Sequence, residues 1–316
     1  LCRMSLIMLS NRRSVLKALV AATIAGGATG FSFNPSKSAS AGPILRRIPS
    51  SGEDIPLVGL GSWITFNVGN DPVLLDECTA VIRAFFQHGG RMIDSSPMYG
   101  SSQDTIGYGL SKLGYPQQLF SAEKVWTSSP SAGPQQMEKT RGKWGVERFN
   151  LMQVHNLLAW KEHLDMLKAK KAAGGLKYIG VTTSHGRRHA TLEQIMQSED
   201  IDFVQLTYNI LDREAEARLL PMARERGIAV IVNRPYQRGE LIRRFSGKPL
   251  PSWAGEIGAT SWAQFLLKFV IAHPAVTCAI PATTSVDHVR ENLATAAGIL
   301  PDRAMRKRMT DYVEQL

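Results

Sequence analysis

Four residues with reactive side chains follow short apolar stretches of the chain. Asp94 ends the stretch RMID, Lys124 ends LFSAEK and His155 ends NLMQVH, while Tyr99 lies five positions after Asp94. An ammonium close to a phenol stabilises the phenolate and lowers the pKa of the tyrosine, and a carboxylate beside the lysine keeps the ammonium charged and oriented. Asp94, Lys124 and Tyr99 placed together would therefore form an acid catalyst.

His155 extends this chemistry to a carbonyl group. A histidine beside the phenol can hold a carbonyl oxygen by a hydrogen bond while the phenol donates its proton. The carbonyl carbon then requires a hydride, which implies a nicotinamide cofactor. A single acid or histidine at a strand end is more often a structural hydrogen-bonding residue, but four such side chains on one rim favour a shared site.

These residues need parallel strands whose carboxyl ends meet. Eight short apolar runs alternate with amphipathic helical patterns, and the runs are Pro56–Gly61, Arg91–Asp94, Leu119–Lys124, Asn150–His155, Lys177–Thr182, Asp202–Thr207, Ile228–Asn233 and Thr277–Ala282. Continuous apolar character is typical of parallel strands that are buried on both faces. We therefore predict an α/β fold, a single (β/α)8 TIM barrel over residues 42–316.

The segment around the first barrel strand disfavours the main alternative fold, a doubly wound sheet. Such a sheet would carry a glycine-rich phosphate loop after its first strand, but GLGSW lacks the GxGxxG spacing and no helical pattern follows it. The stretch ILRRIPSSGEDIPLVGLG instead predicts an N-terminal β-hairpin with a polar turn at Ser50–Asp54, placed to cap the barrel floor. Gly239–Gly255 is the longest irregular stretch and a candidate active-site loop.

Residues 1–41 have the composition of a targeting segment. They contain an arginine pair at 12–13, an apolar stretch Ala18–Ala28 and the small residues ASA at 39–41, a pattern that resembles a twin-arginine export signal. An ordinary secretory signal and an uncleaved anchor are the alternatives, although a membrane span needs about 20 apolar residues. We expect export of the folded protein by the twin-arginine translocation machinery, a periplasmic or otherwise exported location, and no stable membrane insertion after cleavage.

The charge balance disfavours a nucleic-acid partner. The formal net charge is +10, but residues 1–41 hold five basic residues and no acidic one, which leaves 32 basic against 27 acidic residues in the remainder. No long basic run interleaved with aromatic residues occurs there, so no nucleic-acid surface is expected. Four histidines share no ligand spacing, and no metal site is expected at them: His185, His189, His273 and His288. Cys78 and Cys278 are predicted to be buried thiols without a disulfide.

The catalytic pattern resembles that of the aldo-keto reductase family. Asp94-x4-Tyr99-Gly100 with Lys124 and His155 is similar to the family's catalytic tetrad. GLGSW resembles the family's first strand, YIGVT its fifth, DFVQLTYNILDREAEARLLPMARERGIAV its sixth strand, helix and seventh strand, and IPATTSVDHVREN its closing cofactor-binding segment. The similarity covers nearly all of residues 42–316 and implies an NADP(H)-dependent oxidoreductase that acts on a small-molecule carbonyl or alcohol.

The resemblance also assigns roles to individual residues. It implies that Tyr99 is the general acid in reduction and the base in oxidation, and that Gln205 binds the nicotinamide carboxamide. Glu291 and Asn292 stand where the family binds adenine. Trp63 would line the substrate pocket, with an ordinary core tryptophan as the alternative.

Several residues depart from the family pattern around the nicotinamide. Thr182 and Thr183 stand where many members carry Ser-Asn to hold the carboxamide. Asn233 stands where an aromatic side chain commonly stacks on the nicotinamide, and the neighbouring Arg234 or Tyr236 could compensate. These positions remain the expected contacts of the cofactor.

The residues expected at the adenosine 2′-phosphate differ as well. Ala282 and His288 occupy positions where NADPH-preferring members often carry Lys and Arg. Thr283 and Thr284 can still hydrogen-bond a phosphate, and Arg290 is close in sequence. NADP is the expected cofactor, with NAD as the alternative.

The C-terminal pattern bears on the substrate. RAMRKRMTDYVEQL is helical and leaves little of the C-terminal loop that shapes steroid and aldose pockets in longer members. We therefore expect an open pocket and a small aldehyde or simple ketone. A non-catalytic periplasmic protein that binds a ligand or partner on the same fold is the alternative function, which the complete tetrad disfavours.

Overall fold

Ten β-strands form two sheets within residues 42–316, the part of the chain that this computed structural model describes. Strands β1 and β2 pair antiparallel, and the other eight form one parallel sheet whose order follows the chain. The strands are β1 (Leu45–Arg47), β2 (Asp54–Pro56), β3 (Leu60–Gly61), β4 (Met92–Asp94), β5 (Phe120–Val125), β6 (Leu151–Val154), β7 (Tyr178–Thr182), β8 (Phe203–Thr207), β9 (Ala229–Asn233) and β10 (Val276–Ala279). Parallel neighbours need a crossover between them, and helices supply it.

Helices follow the barrel strands, and four of the ten described here begin after a residue whose side chain caps them. They are α1 (Pro72–Gln87), α2 (Ser102–Lys112), α3 (Gly133–Trp144), α4 (Trp160–Ala172), α5 (His189–Ser198), α6 (Leu219–Glu225), α7 (Glu240–Phe245), α8 (Trp262–Ile271), α9 (Val286–Thr295) and α10 (Arg303–Glu314). The side chains of Asp71, Ser261, Ser285 and Asp302 accept hydrogen bonds from the first turns of α1, α8, α9 and α10. These contacts satisfy backbone N–H groups that have no partner inside the helix.

Contacts between the first and last parallel strands close the sheet into a barrel. Parallel bridges join Val58 to Ala279 and Gly61 to Ala282, and Gly59 N donates to Ala279 O at 2.8 Å. A Cβ atom at Gly61 would lie 2.6 Å from the Ile280 carbonyl oxygen, so this close approach requires glycine. The predicted (β/α)8 barrel is confirmed.

The hairpin of β1 and β2 covers the end of the barrel where the parallel strands begin. Ile48 and Ile55 are fully buried and belong to one apolar cluster with Phe120, Tyr178 and Phe203, the first residues of β5, β7 and β8. Tyr178 also donates its hydroxyl proton to Glu53 Oε2 at 2.8 Å, in the hairpin turn. The prediction of a hairpin that caps the barrel floor is therefore confirmed.

The segment between β9 and α8 is more ordered than its composition indicates. Helix α7 forms within Gly239–Gly255, so the prediction of a wholly irregular stretch there is wrong. Leu241 and Phe245 lie four residues apart and are both fully buried. Packing of this apolar edge against the barrel outweighs the weak helical propensity of a six-residue segment.

Within residues 42–316 the two cysteines are unpaired, and the structure offers neither a membrane-spanning helix nor a metal-binding group. Cys78 and Cys278 are both buried and free, as predicted. Within this range no helix is long and apolar enough to span a membrane, and no group of three or more candidate side chains could hold a metal ion. The expected export signal at residues 1–41 lies outside the described residues.

Candidate active site

The four predicted catalytic residues meet at the carboxyl ends of neighbouring strands. Asp94 is the last residue of β4, Lys124 lies one residue before the end of β5, and His155 directly follows β6. Tyr99 lies in the loop after β4, where Gly100 adopts a positive φ of 61°. A Cβ atom at Gly100 would lie 2.2 Å from Asn67 Oδ1, so glycine is needed for the turn that returns the chain beside the phenol.

Asp94 and Lys124 form a buried ion pair. Lys124 Nζ lies 2.5 Å from Asp94 Oδ1 and 2.6 Å from Ser95 O, and the two side chains are 0% and 2% exposed. Asp94 Oδ2 accepts further hydrogen bonds from Gln153 Nε2 at 3.2 Å and Gln205 Nε2 at 3.0 Å. Burial alone would lower the pKa of Lys124, but the attraction of Asp94 and other nearby acidic groups raises it above its ordinary value, so the lysine stays charged.

Tyr99 lies next to this lysine. Lys124 Nζ is 5.3 Å from the centre of the half-buried Tyr99 ring. Burial raises the pKa of Tyr99 to about 12, while Lys124 acts in the opposite direction. The expected lowering of the phenol pKa is therefore wrong in its net sign, because desolvation of the phenolate outweighs the attraction of the ammonium. Tyr99 is protonated at neutral pH.

His155 lies beside Tyr99 and is neutral. The two rings meet edge to face with their centres 5.7 Å apart, and burial, assisted by the charge of Lys124, lowers the pKa of His155 to about 2. Nδ1 lies 2.6 Å from Ser96 Oγ, which also accepts a hydrogen bond from Met98 N at 3.2 Å. If the Ser96 hydroxyl donates to Nδ1, the proton of the imidazole is on Nε2, where a carbonyl oxygen could accept it.

The predicted nicotinamide contacts form a network that continues from Asp94. Gln205 bonds Asp94 on one side, and Asn233 Nδ2 lies 3.4 Å from Gln205 Oε1 and 2.9 Å from Thr183 O on the other. Thr182 Oγ1 accepts from Asn156 N at 3.1 Å. Thr183 Oγ1 is buried and has no hydrogen-bond partner within residues 42–316. An unpartnered buried hydroxyl at this position fits an amide ligand such as a nicotinamide carboxamide.

The predicted adenosine contacts lie together near the start of α9, although most already have protein partners. Asn292 is buried, and its Oδ1 accepts from the Tyr236 hydroxyl at 2.8 Å. Glu291 accepts from Ser261 Oγ, and Thr283 Oγ1 lies 3.3 Å from His288 Nδ1. His288 is exposed, whereas Thr283 is buried. Asn292 ties α9 to the loop after β9.

The two other predicted residues, Arg234 and Trp63, lie together with two residues that were not predicted as part of the site, His185 and Arg238. Arg234 and Arg238 both direct a guanidinium nitrogen at His185 Nε2, the latter at 3.1 Å. We call Arg234, Arg238 and His185 the arginine cluster. The Arg238 guanidinium also lies 4.2 Å from the centre of the Trp63 ring, which makes Trp63 a mouth residue rather than a core one.

Several residues behind the catalytic groups were not predicted. Alternation along NLMQVH could have identified Gln153, because it faces the same way as His155. Glu123 faces away from Lys124, is fully buried, and accepts hydrogen bonds from Gln103 Nε2 at 2.9 Å and Trp144 Nε1 at 3.0 Å. Burial raises the pKa of Glu123 to about 7. Glu123 is therefore a second buried acid, and its charge acts on both Lys124 and Tyr99.

The chain is similar to several known proteins. Methylglyoxal reductase YeaE of Escherichia coli strain K12 is 25% identical over 257 residues, covering 79% of this chain and 88% of that protein. The NADH-specific methylglyoxal reductase of the same organism is 25% identical over 248 residues, covering 66% and 73%. An aldo-keto reductase from Klebsiella pneumoniae, solved in complex with NADPH, superposes with a TM-score of 0.71 at 21% identity, covering 85% of this chain and 95% of that one.

The match to a family model settles the classification. Residues 57–308, which include every barrel strand and all four predicted catalytic residues, match the model of the Aldo/keto reductase family. This protein therefore belongs to the aldo/keto reductase family of oxidoreductases.

Proposed function

We propose that the protein reduces the carbonyl group of small aldehydes and ketones with a nicotinamide cofactor, and catalyses the reverse oxidation of alcohols. The observation that carries this proposal is the buried Asp94–Lys124 pair at 2.5 Å beside the protonated Tyr99 and the neutral His155. Lys124 then supplies a positive charge, Tyr99 a proton and His155 a hydrogen-bond donor, all at one place. This set has no need of a metal to polarise the carbonyl.

The chain's own residues supply the proton and orient the substrate. NADPH or NADH, when bound, supplies the hydride to the carbonyl carbon. His155 Nε2–H holds the carbonyl oxygen, and Tyr99 transfers its proton to that oxygen as negative charge develops there. Lys124, held in place by Asp94, stabilises the phenolate that remains. The product is the alcohol, and the phenolate is reprotonated from solvent before the next cycle.

The cofactor is proposed to be NADP(H), with NAD(H) as the alternative. Gln205, Asn233, Thr182 and the unpartnered Thr183 hydroxyl would hold the nicotinamide end. The adenosine end would lie at the start of α9, where two further residues can contact a phosphate, Thr283 and His288. Support from similar proteins is divided, since one solved structure contains NADPH and one relative is named NADH-specific.

The substrate is proposed to be small. Exposed or half-buried apolar side chains stand in the segments that follow β3, β4 and β5: Trp63, Ile64, Met98 and Trp126. They offer a short apolar wall beside the polar reacting groups, an arrangement common in small-molecule sites. Two relatives are named as methylglyoxal reductases, which makes methylglyoxal a suitable first substrate.

The test is a steady-state assay of the purified protein. Methylglyoxal and butanal are each mixed with NADPH or NADH, cofactor consumption is followed by absorbance, and the alcohol product is identified by mass spectrometry. We expect cofactor consumption matched by alcohol formation, with NADPH preferred. Failure to consume either cofactor with any carbonyl substrate, by a protein shown to be folded, would reject the proposed activity.

We also propose that residues 1–41 direct export of the folded protein through the twin-arginine machinery. The arginine pair at 12–13 and the small residues at 39–41 support this proposal. Cell fractionation compares the full chain with a variant carrying Arg12→Lys and Arg13→Lys. We expect the full chain in the periplasm and the variant in the cytoplasm, and a periplasmic variant would contradict the twin-arginine route.

A further inference from the structure

The arginine cluster lines a cavity at the mouth of the barrel. The cavity has a volume of about 310 Å³ and is formed by the loops that follow β7, β8 and β9. Its cationic wall consists of Arg234 and Arg238, with His185 between them. Two guanidinium groups held around one imidazole place two positive charges on one small surface.

No carboxylate within residues 42–316 lies within 4.0 Å of either guanidinium. The salt bridges formed within residues 42–316 involve neither Arg234 nor Arg238. Two acids also line the cavity but face other groups: Asp212 Oδ2 accepts from Asn209 and Gln237 at 2.8 Å each, and Glu214 lies 3.8 Å from His189. Burial and the charge of Arg238 lower the pKa of Arg234 to about 10, so Arg234 is still charged at neutral pH.

The backbone around the cluster is held in an unfavourable conformation. His185, Arg234, Gln237 and Arg238 all have positive φ angles, of 71°, 53°, 47° and 60°. Residues other than glycine rarely adopt this region, and each instance costs about 1 kcal/mol or more. Such conformations tend to persist at binding and catalytic sites, where the surrounding structure maintains them.

The cavity adjoins the reacting groups. Arg234 directly follows Asn233, which contacts Gln205, which in turn contacts Asp94. On the other side, Arg238 stacks on Trp63 at the end of β3. The cluster therefore lies above the tetrad and not on the outer surface of the barrel. A substrate that reaches Tyr99 would extend past this cluster.

We propose that Arg234 and Arg238 bind an anionic group of the carbonyl substrate, so that the preferred substrates are small aldehydes or ketones carrying a carboxylate or phosphate. This inference rests on the proposed function and adds a substrate class to it. Arginine pairs bind such anions through parallel, charge-assisted hydrogen bonds. His185, with its pKa lowered by burial and by the neighbouring arginines, stays neutral and spaces the two guanidinium groups.

The test compares two substrates, 4-oxobutanoate and its methyl ester, which differ in charge and by one methyl group. The ratio of their kcat/KM values is measured for the wild type, Arg234→Met and Arg238→Met, with Arg226→Met as the control. Arg226 is exposed and follows α6 at the floor end of the barrel. We expect the wild type and Arg226→Met to favour the acid, and each cluster variant to reduce the ratio by about 10- to 100-fold, the effect of losing a hydrogen bond to a charged group.

A second source of anionic groups is the cofactor, and its binding is measured in the same variants. If Arg234→Met and Arg238→Met weaken NADPH binding and leave the acid-to-ester ratio unchanged, the cluster binds cofactor phosphates and the proposal is wrong. A wild type that does not favour the acid also overturns it.

Failure of the proposed function gives a different pattern, in which neither the acid nor the ester is reduced. Calorimetric titration with succinate then decides the anion site by itself. Binding to the wild type that both cluster variants lose supports the site, and absence of binding to the wild type overturns it.

Discussion

The buried pair of Asp94 and Lys124 predicts a specific pattern of stabilities. Replacing one partner leaves a charge in a place where the two side chains are 0% and 2% exposed, and such single changes cost about 3–5 kcal/mol. We expect Lys124→Met to cost the lower part of this range, because Gln153 and Gln205 still donate to Asp94. Asp94→Asn leaves the ammonium with Ser95 O at 2.6 Å and is expected to cost more.

The double variant, Asp94→Asn with Lys124→Met, contains no buried charge at this position. If the two single costs were additive, the double variant would lose their sum. We expect its free energy of unfolding to be higher than this additive value, by at least about 2 kcal/mol. Urea denaturation at pH 7 measures the four free energies, and activity assays check that carbonyl reduction is lost in all three variants. Costs that add without coupling would refute the claim that the pair is energetically isolated from solvent.

A matched control is the ion pair of Asp104 and Lys143. Its atoms are 2.6 Å apart, close to the separation in the Asp94–Lys124 pair, but its side chains are 50% and 26% exposed. Exposed pairs contribute about 0.2–1 kcal/mol. The same cycle of Asn and Met substitutions is therefore expected to give a coupling energy below about 1 kcal/mol, so burial rather than distance accounts for the difference.

Two further predictions follow from the site and the barrel. The pKa of His155 is lowered from 6.5 to about 2, so its neutral form stabilises the folded state above pH 6.5 and this contribution is lost as the pH falls below that value. His155→Gln should therefore reduce the loss of unfolding free energy between pH 7 and pH 5 by about 2 kcal/mol, and an unchanged loss would contradict the lowered pKa. Gly61→Ala places a Cβ atom 2.6 Å from Ile280 O and should lower the thermal midpoint by several degrees. Gly247→Ala, where the Cβ meets nothing within 4 Å, is the control and should have little effect.

Much of the barrel can be predicted from the sequence, because each buried parallel strand is a continuous apolar run. YIGVT and FVQLT coincide with β7 and β8, and the positions of Asp94, Lys124 and His155 follow from where such runs end. The hairpin is equally readable, since the polar turn SSGED separates the two short segments that pair. These features depend on local pattern, and local pattern is what a single sequence contains.

Other properties of the site depend on burial and on contacts between distant loops. The pKa of Tyr99 follows from the balance of desolvation against Lys124, and no spacing in the sequence gives the depth of burial. The arginine cluster joins His185 after β7 to two residues after β9, and only the barrel brings these loops together. Asn292, which is expected to contact the cofactor, also accepts a hydrogen bond from Tyr236, a tertiary contact across 56 positions of the chain that the sequence does not indicate.

The central claim is that Tyr99 donates the proton during carbonyl reduction. Single-turnover kinetics of NADPH-loaded protein mixed with excess methylglyoxal test it directly in the wild type, Tyr99→Phe and Tyr108→Phe. Tyr108 is the matched control, since its hydroxyl bonds Asp76 at 2.9 Å on the exposed surface between α1 and α2. We predict that Tyr99→Phe binds NADPH and slows the reduction by about 10²- to 10⁴-fold, whereas Tyr108→Phe reduces at the wild-type rate. Reduction by Tyr99→Phe at the wild-type rate would contradict the claim.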